Sequence, residues 1–210
     1  MKIIYLIRHS MTGVNIENYK DYKNVLWDEY NTNMVLSVDG EKKAKKLCDV
    51  EELKNIDELY ASSSPRAIAT AKYLSEKQNI PIKLDNRINE RNFGVNYISE
   101  LPEDFTYQMF NNKDLRFAKG ETLTELDTRA TEFINEKLES NSDKIAIVMH
   151  GIILLSYLGT IADEKYDGKK FNITFNGKEI LNGNPSAPDI YKITFEDKKV
   201  IAIERIMSIK

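Results

Sequence analysis

The amino-acid sequence predicts an α/β fold, a three-layer sandwich in which a mostly parallel central sheet has helices on both faces. Short apolar runs rich in isoleucine recur along the 210 residues, and segments with helical periodicity separate them. Strands covered on both faces are apolar at successive positions, and alternation of strands with helices is typical of such a sandwich. The C-terminal residues instead predict a β-hairpin, formed by 190–195 and 200–206, which we place at the sheet edge.

Four apolar runs are the predicted strands of the parallel part, namely residues 2–7, 56–61, 80–84 and 144–149. The starts of two helices are marked by capping residues. Ser64 is a favourable cap before Pro65, and Thr122 and Glu125 have the spacing of a capping box. The predicted helices therefore cover 37–50, the residues after Pro65, the residues after Thr122, and 151–158.

Two segments, 15–34 and 91–119, do not follow this pattern, and both carry several aromatic residues among charged ones. Segments of that length inside a compact domain are commonly lids or binding loops. The alternative is two helical excursions that pack ordinary aromatic side chains onto the core. The residues alone leave both interpretations open, within what we expect to be a single domain spanning 1–210.

The balance of charge excludes several classes of partner. Thirty Lys and Arg residues against 33 Asp and Glu give a net charge of −3, so no basic field favours nucleic acid or an anionic membrane. No apolar run is long enough to span a bilayer, and the N-terminal residues lack the features of a signal peptide, so we expect a cytoplasmic protein. The single cysteine, Cys48, excludes an internal disulfide framework and a Cys-rich zinc site.

The chain has only two histidines, and each follows a predicted strand. His9 comes directly after the first strand and His150 directly after the fourth. Ligands of open α/β sheets bind at the carboxyl ends of the strands, so both side chains are expected at a ligand site. The alternative for either one is a polar strand-end residue satisfied by local hydrogen bonds, but two at equivalent positions favour a site.

Three charged residues are candidates for the same site. Arg66 lies at the start of a helix, where its positive charge is repelled by the positive end of the helix dipole. An anion bound between Arg66 and the helix end would remove that repulsion. Arg8 precedes His9, and Glu90 follows the third strand among arginines, where a carboxylate is usually only part of an ion pair. Together with the histidines they supply a nucleophile, an anion clamp and an acid. That combination predicts phosphoryl transfer through a phosphohistidine, without a metal or a cofactor.

Six segments, in order, resemble the motifs of the histidine phosphatase superfamily, also called the phosphoglycerate mutase-like family. They are the Arg-His motif at 6–15, the helix start at 36–44, the second-arginine motif at 62–71, the acid motif at 88–94, the Gly-Glu-Thr helix start at 120–122, and the second-histidine motif at 148–151. The resemblance covers most of the chain. It implies a phosphoglycerate mutase-like fold, in agreement with the fold predicted above.

The resemblance also implies roles for the five core residues. His9 corresponds to the phosphorylated nucleophile, and Arg8, Arg66 and His150 correspond to the groups that clamp the phosphoryl group. Glu90 corresponds to the general acid, which then acts as the base that activates water.

Further positions are implied to contact the substrate. Thr12 and Asn15 match positions that bind the transferred phosphate, and the Ser10 hydroxyl is expected to be close enough to donate to it. Arg91 begins the variable segment that covers the pocket, and Gly151 lies in the second-histidine motif. The expected partner is a small phosphorylated substrate, and nothing in the sequence indicates the oligomeric state.

The sequence departs from the family motifs at three positions. Ser10 replaces a glycine, Met11 an acidic or amide residue, and Met149 a frequent serine. All five core residue types remain, so the leading prediction is a phosphomonoester phosphatase. The alternatives are a cofactor-dependent phosphoglycerate mutase, which usually carries longer insertions, and a catalytically silent module that binds phosphorylated ligands.

Overall fold

A computed structural model of the chain describes residues 1–13, 26–27 and 31–208. Most of the predicted segment 15–34 therefore lies outside the described residues, and so does Asn15. Its predicted role as a lid and the phosphate contact of Asn15 stay predictions.

The described strands form one six-stranded sheet and one three-stranded sheet. The larger sheet has the order β3-β2-β4-β1-β8-β9. Strands β1 to β4 pair in parallel, β8 runs antiparallel to β1, and β9 pairs with β8 as the predicted C-terminal hairpin at the edge. The strands are β1 (Lys2–Arg8), β2 (Glu58–Ala61), β3 (Ile82–Leu84), β4 (Lys144–Met149), β5 (Asp163–Tyr166), β6 (Phe171–Phe175), β7 (Lys178–Gly183), β8 (Asp189–Glu196) and β9 (Lys199–Ser208).

Helices cover both faces of the larger sheet, which confirms the predicted sandwich. Alternate residues of β1 point to opposite faces, so Tyr5 packs in one buried cluster with Ala71, while Leu6 packs in the other with Phe133 and Leu154. No helix in the described ranges is both long and apolar enough to cross a membrane. The helices are α1 (Val38–Lys46), α2 (Pro65–Gln78), α3 (Phe105–Asn111), α4 (Leu123–Glu139) and α5 (Gly151–Ile161).

The capping prediction is confirmed at α4 and only partly at α2. Thr122 Oγ accepts a hydrogen bond from the Glu125 N–H at 3.1 Å, and the Glu125 carboxylate accepts one from the Thr122 N–H at 2.9 Å. At α2, Pro65 occupies the start of the helix as predicted, but the Ser64 side chain makes no capping hydrogen bond. The Ser64 hydroxyl is instead hydrogen-bonded to the Ser62 hydroxyl, beside the strand ends.

The three-stranded antiparallel sheet, of order β5-β6-β7, has no counterpart in the predicted elements. Its first strand is largely charged and half-exposed, so it lacks the apolar run that marks a buried strand. A usable signal lies at the turn between β6 and β7. Asn176 and Gly177 both have positive φ, 50° and 76°, and an Asn-Gly pair between alternating runs is a strong hairpin signal.

The cap segment, residues 91–119, contains α3, and its buried apolar side chains belong to the core. Phe93 is fully buried and meets Trp27 and Phe105 edge to face, with ring centroids 5.0 and 5.3 Å apart. The same aromatic side chains also line a cavity next to the strand ends. The aromatic residues of the cap segment thus pack in the core and also form part of a pocket wall, and its predicted role as a lid stays a prediction.

Candidate active site

The carboxyl ends of β1 and β4 bring the two histidines together. The strands pair in parallel, and the His9 N–H continues the ladder by donating to the Met149 carbonyl at 2.8 Å. The imidazole centroids of His9 and His150 are 5.2 Å apart, with the rings edge to face at 62°. His9 lines the cavity, whereas His150 lies behind it and is fully buried.

The hydrogen bonds of His9 determine which ring nitrogen carries the proton. Nδ1 lies 2.7 Å from the Ser10 carbonyl oxygen, which can only accept, so Nδ1 donates. Nε2 therefore holds the free lone pair. Arg66 Nε donates to it at 3.1 Å, so this lone pair faces a guanidinium beside the cavity.

A chain of hydrogen bonds behind His150 determines its tautomer as well. Asn89 Oδ1 accepts from the Ser63 N–H at 3.0 Å, so it must also be the acceptor in its 2.7 Å contact with Ser62 Oγ. The Ser62 hydroxyl has then used its proton and accepts from His150 Nε2 at 2.7 Å. The other nitrogen, Nδ1, is buried without a hydrogen-bond partner among the described residues. Sequence reasoning missed the role of Ser62 and Asn89, although both lie inside recognised motifs.

Burial lowers the pKa of both imidazoles well below the ordinary value of 6.5. For His9 the next causes are the positive charges of Arg66 and Arg8, and for His150 they are Arg66 and His9. Removing a cation from water and placing it beside guanidiniums disfavours the protonated ring. The site therefore holds two neutral imidazoles near neutral pH.

We expect the imidazole signals of both histidines to titrate below pH 6.5 in the ligand-free protein. The reason is that protonation would place a third positive charge between two arginines in a buried site. A pH series of NMR spectra of the two histidines would measure this, with a His150→Asn variant assigning the signals. A midpoint at or above 6.5 for His9 would contradict the buried, guanidinium-facing geometry.

Glu90 lines the cavity at the start of α5. One carboxylate oxygen accepts from the Ile152 N–H at 3.1 Å, and the other accepts from the Ile153 N–H at 3.1 Å and the Arg91 N–H at 3.0 Å. These N–H groups fix the carboxyl group and satisfy donors that a helix start leaves unpaired. Glu90 is not in an ion pair with Arg87, which is held by other carboxylates.

Two arginines line the same end of the cavity. Arg66 is 4% exposed, and its terminal nitrogens donate to the backbone carbonyl and the side-chain oxygen of Asn31. Arg8 donates to the Pro185 carbonyl at 2.5 Å. A Cβ on Gly151 would lie 3.3 Å from Arg8 Nε, so the glycine lets this guanidinium pass close to the start of α5.

The cavity measures about 370 Å³ and has a polar end at the strand termini. Six of the predicted site residues meet there, which are Arg8, His9, Thr12, Arg66, Glu90 and Gly151. A neutral nitrogen nucleophile, two guanidiniums and a carboxyl group thus converge on one space. This arrangement can hold a phosphoryl group and exchange a proton with it.

Ser10 does not line this cavity, which corrects the expectation that its hydroxyl is positioned for phosphate. Its Oγ donates to the Gly40 carbonyl at 2.7 Å, and its N–H donates to Thr70 Oγ at 2.9 Å. The loop lies so close to α1 that a Cβ on Gly40 would be 1.9 Å from the Met11 carbonyl oxygen. The added hydroxyl is therefore used to fasten the loop that carries His9.

Arg91 also lies away from the cavity, so its predicted substrate contact is withdrawn. Its fully buried guanidinium donates to the carbonyls of Leu115 and Glu121 and lies over the rings of Phe93 and Phe117. This single cation satisfies two backbone carbonyls beside the buried aromatic rings. Arg91 thus organises the wall of the pocket from behind.

Comparisons with known proteins place the chain in a family. Residues 4–177 match the histidine phosphatase superfamily (branch 1). The chain is 27% identical to the probable phosphoglycerate mutase GpmB of Escherichia fergusonii over 166 residues, which cover 75% of this chain and 74% of that protein. It is 26% identical to phosphoserine phosphatase 1 of Hydrogenobacter thermophilus over 121 residues, 54% and 57% of the two chains.

The fold also matches solved structures. YhfR of Bacillus stearothermophilus superposes with a TM-score of 0.72 at 21% identity, over 99% of this chain and 98% of that one. These matches confirm the predicted family and fold, and they agree with an enzyme of the phosphomonoesterase type. With its six motifs in order and two strand-end histidines beside paired arginines, the chain belongs to the histidine phosphatase superfamily (branch 1).

Proposed function

We propose that this protein is a phosphomonoester phosphatase that works through a phosphohistidine on His9. The observation that carries the proposal is the lone pair of His9 Nε2, which faces Arg66 at the polar end of a cavity that Glu90 also lines. A neutral imidazole is nucleophilic toward phosphorus, and its lowered pKa keeps it neutral near pH 7.

In the first step, Arg66 Nε–H passes from His9 Nε2 to a phosphoryl oxygen, and the released lone pair of Nε2 attacks phosphorus as the bond from phosphorus to the leaving oxygen breaks. Glu90 gives its carboxyl proton to that oxygen, so the alcohol leaves neutral. Arg8 and Arg66 stabilise the negative charge on the remaining phosphoryl oxygens. The negative charge of the bound phosphoryl group favours uptake of a proton from solvent at the bare Nδ1 of His150, which then completes this clamp, because Nε2 is already committed to Ser62.

In the second step, water attacks the phosphohistidine and the Glu90 carboxylate takes its proton. The nitrogen–phosphorus bond breaks, inorganic phosphate leaves, and His9 and Glu90 return to their starting states. Thr12 lies at the same end of the cavity and is proposed to donate to the phosphoryl group, as is Asn15.

This chemistry is proposed to be independent of metals. Among the described residues, no group of three His, Cys, Asp or Glu side chains is arranged to hold a metal ion, and the clamp charges come from arginines. We expect hydrolysis of p-nitrophenyl phosphate to keep its rate in excess EDTA, and vanadate to inhibit because it adopts the trigonal-bipyramidal geometry of phosphoryl transfer. Loss of activity with chelator, restored by magnesium or zinc, would contradict the proposal.

The second candidate function is a phosphoglycerate mutase, which the likeness to GpmB favours. Both reactions begin with the same phosphohistidine and differ in whether water or a hydroxyl of the substrate receives the phosphoryl group. Incubation with 3-phosphoglycerate and the mutase cofactor separates them, since a mutase forms 2-phosphoglycerate and a phosphatase does not. The silent binding module is disfavoured because the nucleophile, acid and clamp residues meet in one cavity.

A further inference from the structure

Beyond its polar end, the cavity that holds His9 has a wall of apolar side chains. They come from the cap segment, from α5 and from the described residues near its entrance. Those that form most of this wall are Trp27, Phe93, Ile98, Leu101, Phe105 and Leu155. A substrate group that extends from the phosphoryl site into this cavity lies against this surface.

The wall is built to keep its shape. Phe93 is fully buried between Trp27 and Phe105, with ring centroids 5.0 and 5.3 Å away. Phe110 and Phe171 meet edge to face at 4.8 Å, which joins the cap segment to the small sheet. Rings locked against one another leave a fixed apolar space that strongly polar groups would enter only at a cost in free energy.

Charge in the cavity is confined to its polar end. The charged residues that line it within the described ranges are Arg8, Arg66 and Glu90. The proposed reaction uses all three on the phosphoryl group and the leaving oxygen. The described wall therefore presents no further cation to pair with a carboxylate or a second phosphate on the substrate, and Arg91, the nearest candidate by sequence, is turned into the cap.

We propose that the substrates of this site are phosphomonoesters of uncharged apolar alcohols, and that esters carrying a second anionic group are discriminated against. This rests on the proposed phosphatase function, and it names the class of leaving alcohol. An apolar alcohol gains from burial against the aromatic wall, whereas a carboxylate there would lose its hydration and meet no cation among the described residues of the wall.

The test compares benzyl phosphate with 4-carboxybenzyl phosphate. The two esters share ring size and a benzylic leaving oxygen, and they differ by one carboxylate that must lie along the apolar wall. We expect kcat/KM for benzyl phosphate to be about tenfold or more above that for the carboxylated ester, because a buried unpaired charge is rejected strongly. A ratio below two, or a preference for the carboxylated ester, would overturn the inference while leaving the phosphatase function intact. Hydrolysis of neither ester, nor of p-nitrophenyl phosphate, would instead overturn the proposed function.

A charge placed on the wall should reverse part of this discrimination. Thr106 lines the cavity from α3, and Asn111 is exposed on the same helix outside the cavity. Thr106→Arg is expected to lower the benzyl to carboxybenzyl ratio at least threefold, whereas Asn111→Arg, with the same added charge, should leave it within twofold. Asn184→Lys, from another segment of the wall, provides a second variant if Thr106→Arg does not fold. Equal effects of wall and control variants would overturn the inference.

Discussion

Replacing His9 with alanine is expected to lower turnover of p-nitrophenyl phosphate by more than about 1,000-fold, because the covalent route is lost with its nucleophile. The wild-type protein, mixed briefly with labelled substrate and quenched in denaturant, should carry phosphate on His9. The proposed reacting atom is Nε2, which carries no proton because Nδ1 donates to the Ser10 carbonyl. The linkage should be labile to acid and stable to alkali, as phosphoramidates are.

The control for this experiment is the fold of the variant itself. His9→Ala should keep the unfolding midpoint of the wild type within a few degrees, since the strand pairing of β1 does not depend on the imidazole. Label on a serine, for example Ser10, would overturn the mechanism. The structure makes that outcome unexpected, because the Ser10 hydroxyl is bound to Gly40 and lies outside the cavity.

Replacing Glu90 with glutamine is expected to slow phosphoenzyme formation by about 100- to 10,000-fold for an alkyl phosphate, and by much less for p-nitrophenyl phosphate. An alkoxide is a strongly basic leaving group that depends on a donated proton, whereas p-nitrophenolate leaves without one. Single-turnover measurements are needed, since slow hydrolysis of the phosphoenzyme would mask the first step. Equal losses for both substrates would count against the acid role.

Arg66→Ala provides the matched comparison, because Arg66 is assigned to the phosphoryl group that both substrates share. It should slow both by similar factors. Glu90 also anchors the start of α5, and an amide nitrogen opposite one of the N–H groups of Ile152 and Ile153 would lose a hydrogen bond. Unfolding of Glu90→Gln in urea should therefore be measured too, with an expected loss of about 1–3 kcal/mol. A loss of protein stability would lower the rates for both substrates alike, so it cannot produce the expected difference between their rates.

The sequence was sufficient for the larger sheet with its helices and for six of the residues that line the cavity. Apolar runs identified strands β1 to β4, because a strand covered on both faces must be apolar at successive positions. The position of His9 and His150 directly after two of these strands was enough to place them at one sheet edge, since parallel strands end together. A local cap such as that of Thr122 could be predicted because Thr122 and its partner Glu125 lie within four residues of each other in the sequence.

Only the tertiary structure decided what each polar side chain faces. The tautomer of His150 depends on Ser62 and Asn89, which are far from it in sequence, and Arg91 turned into the cap although it adjoins Glu90. The small sheet was missed because the exposure of its first strand removed the apolar pattern, although the Asn-Gly turn was present. The physical reason is common to all three. Hydrophobic periodicity records which face of an element is buried, whereas the partner of a buried polar group is chosen by whatever the fold brings within about 3 Å of it.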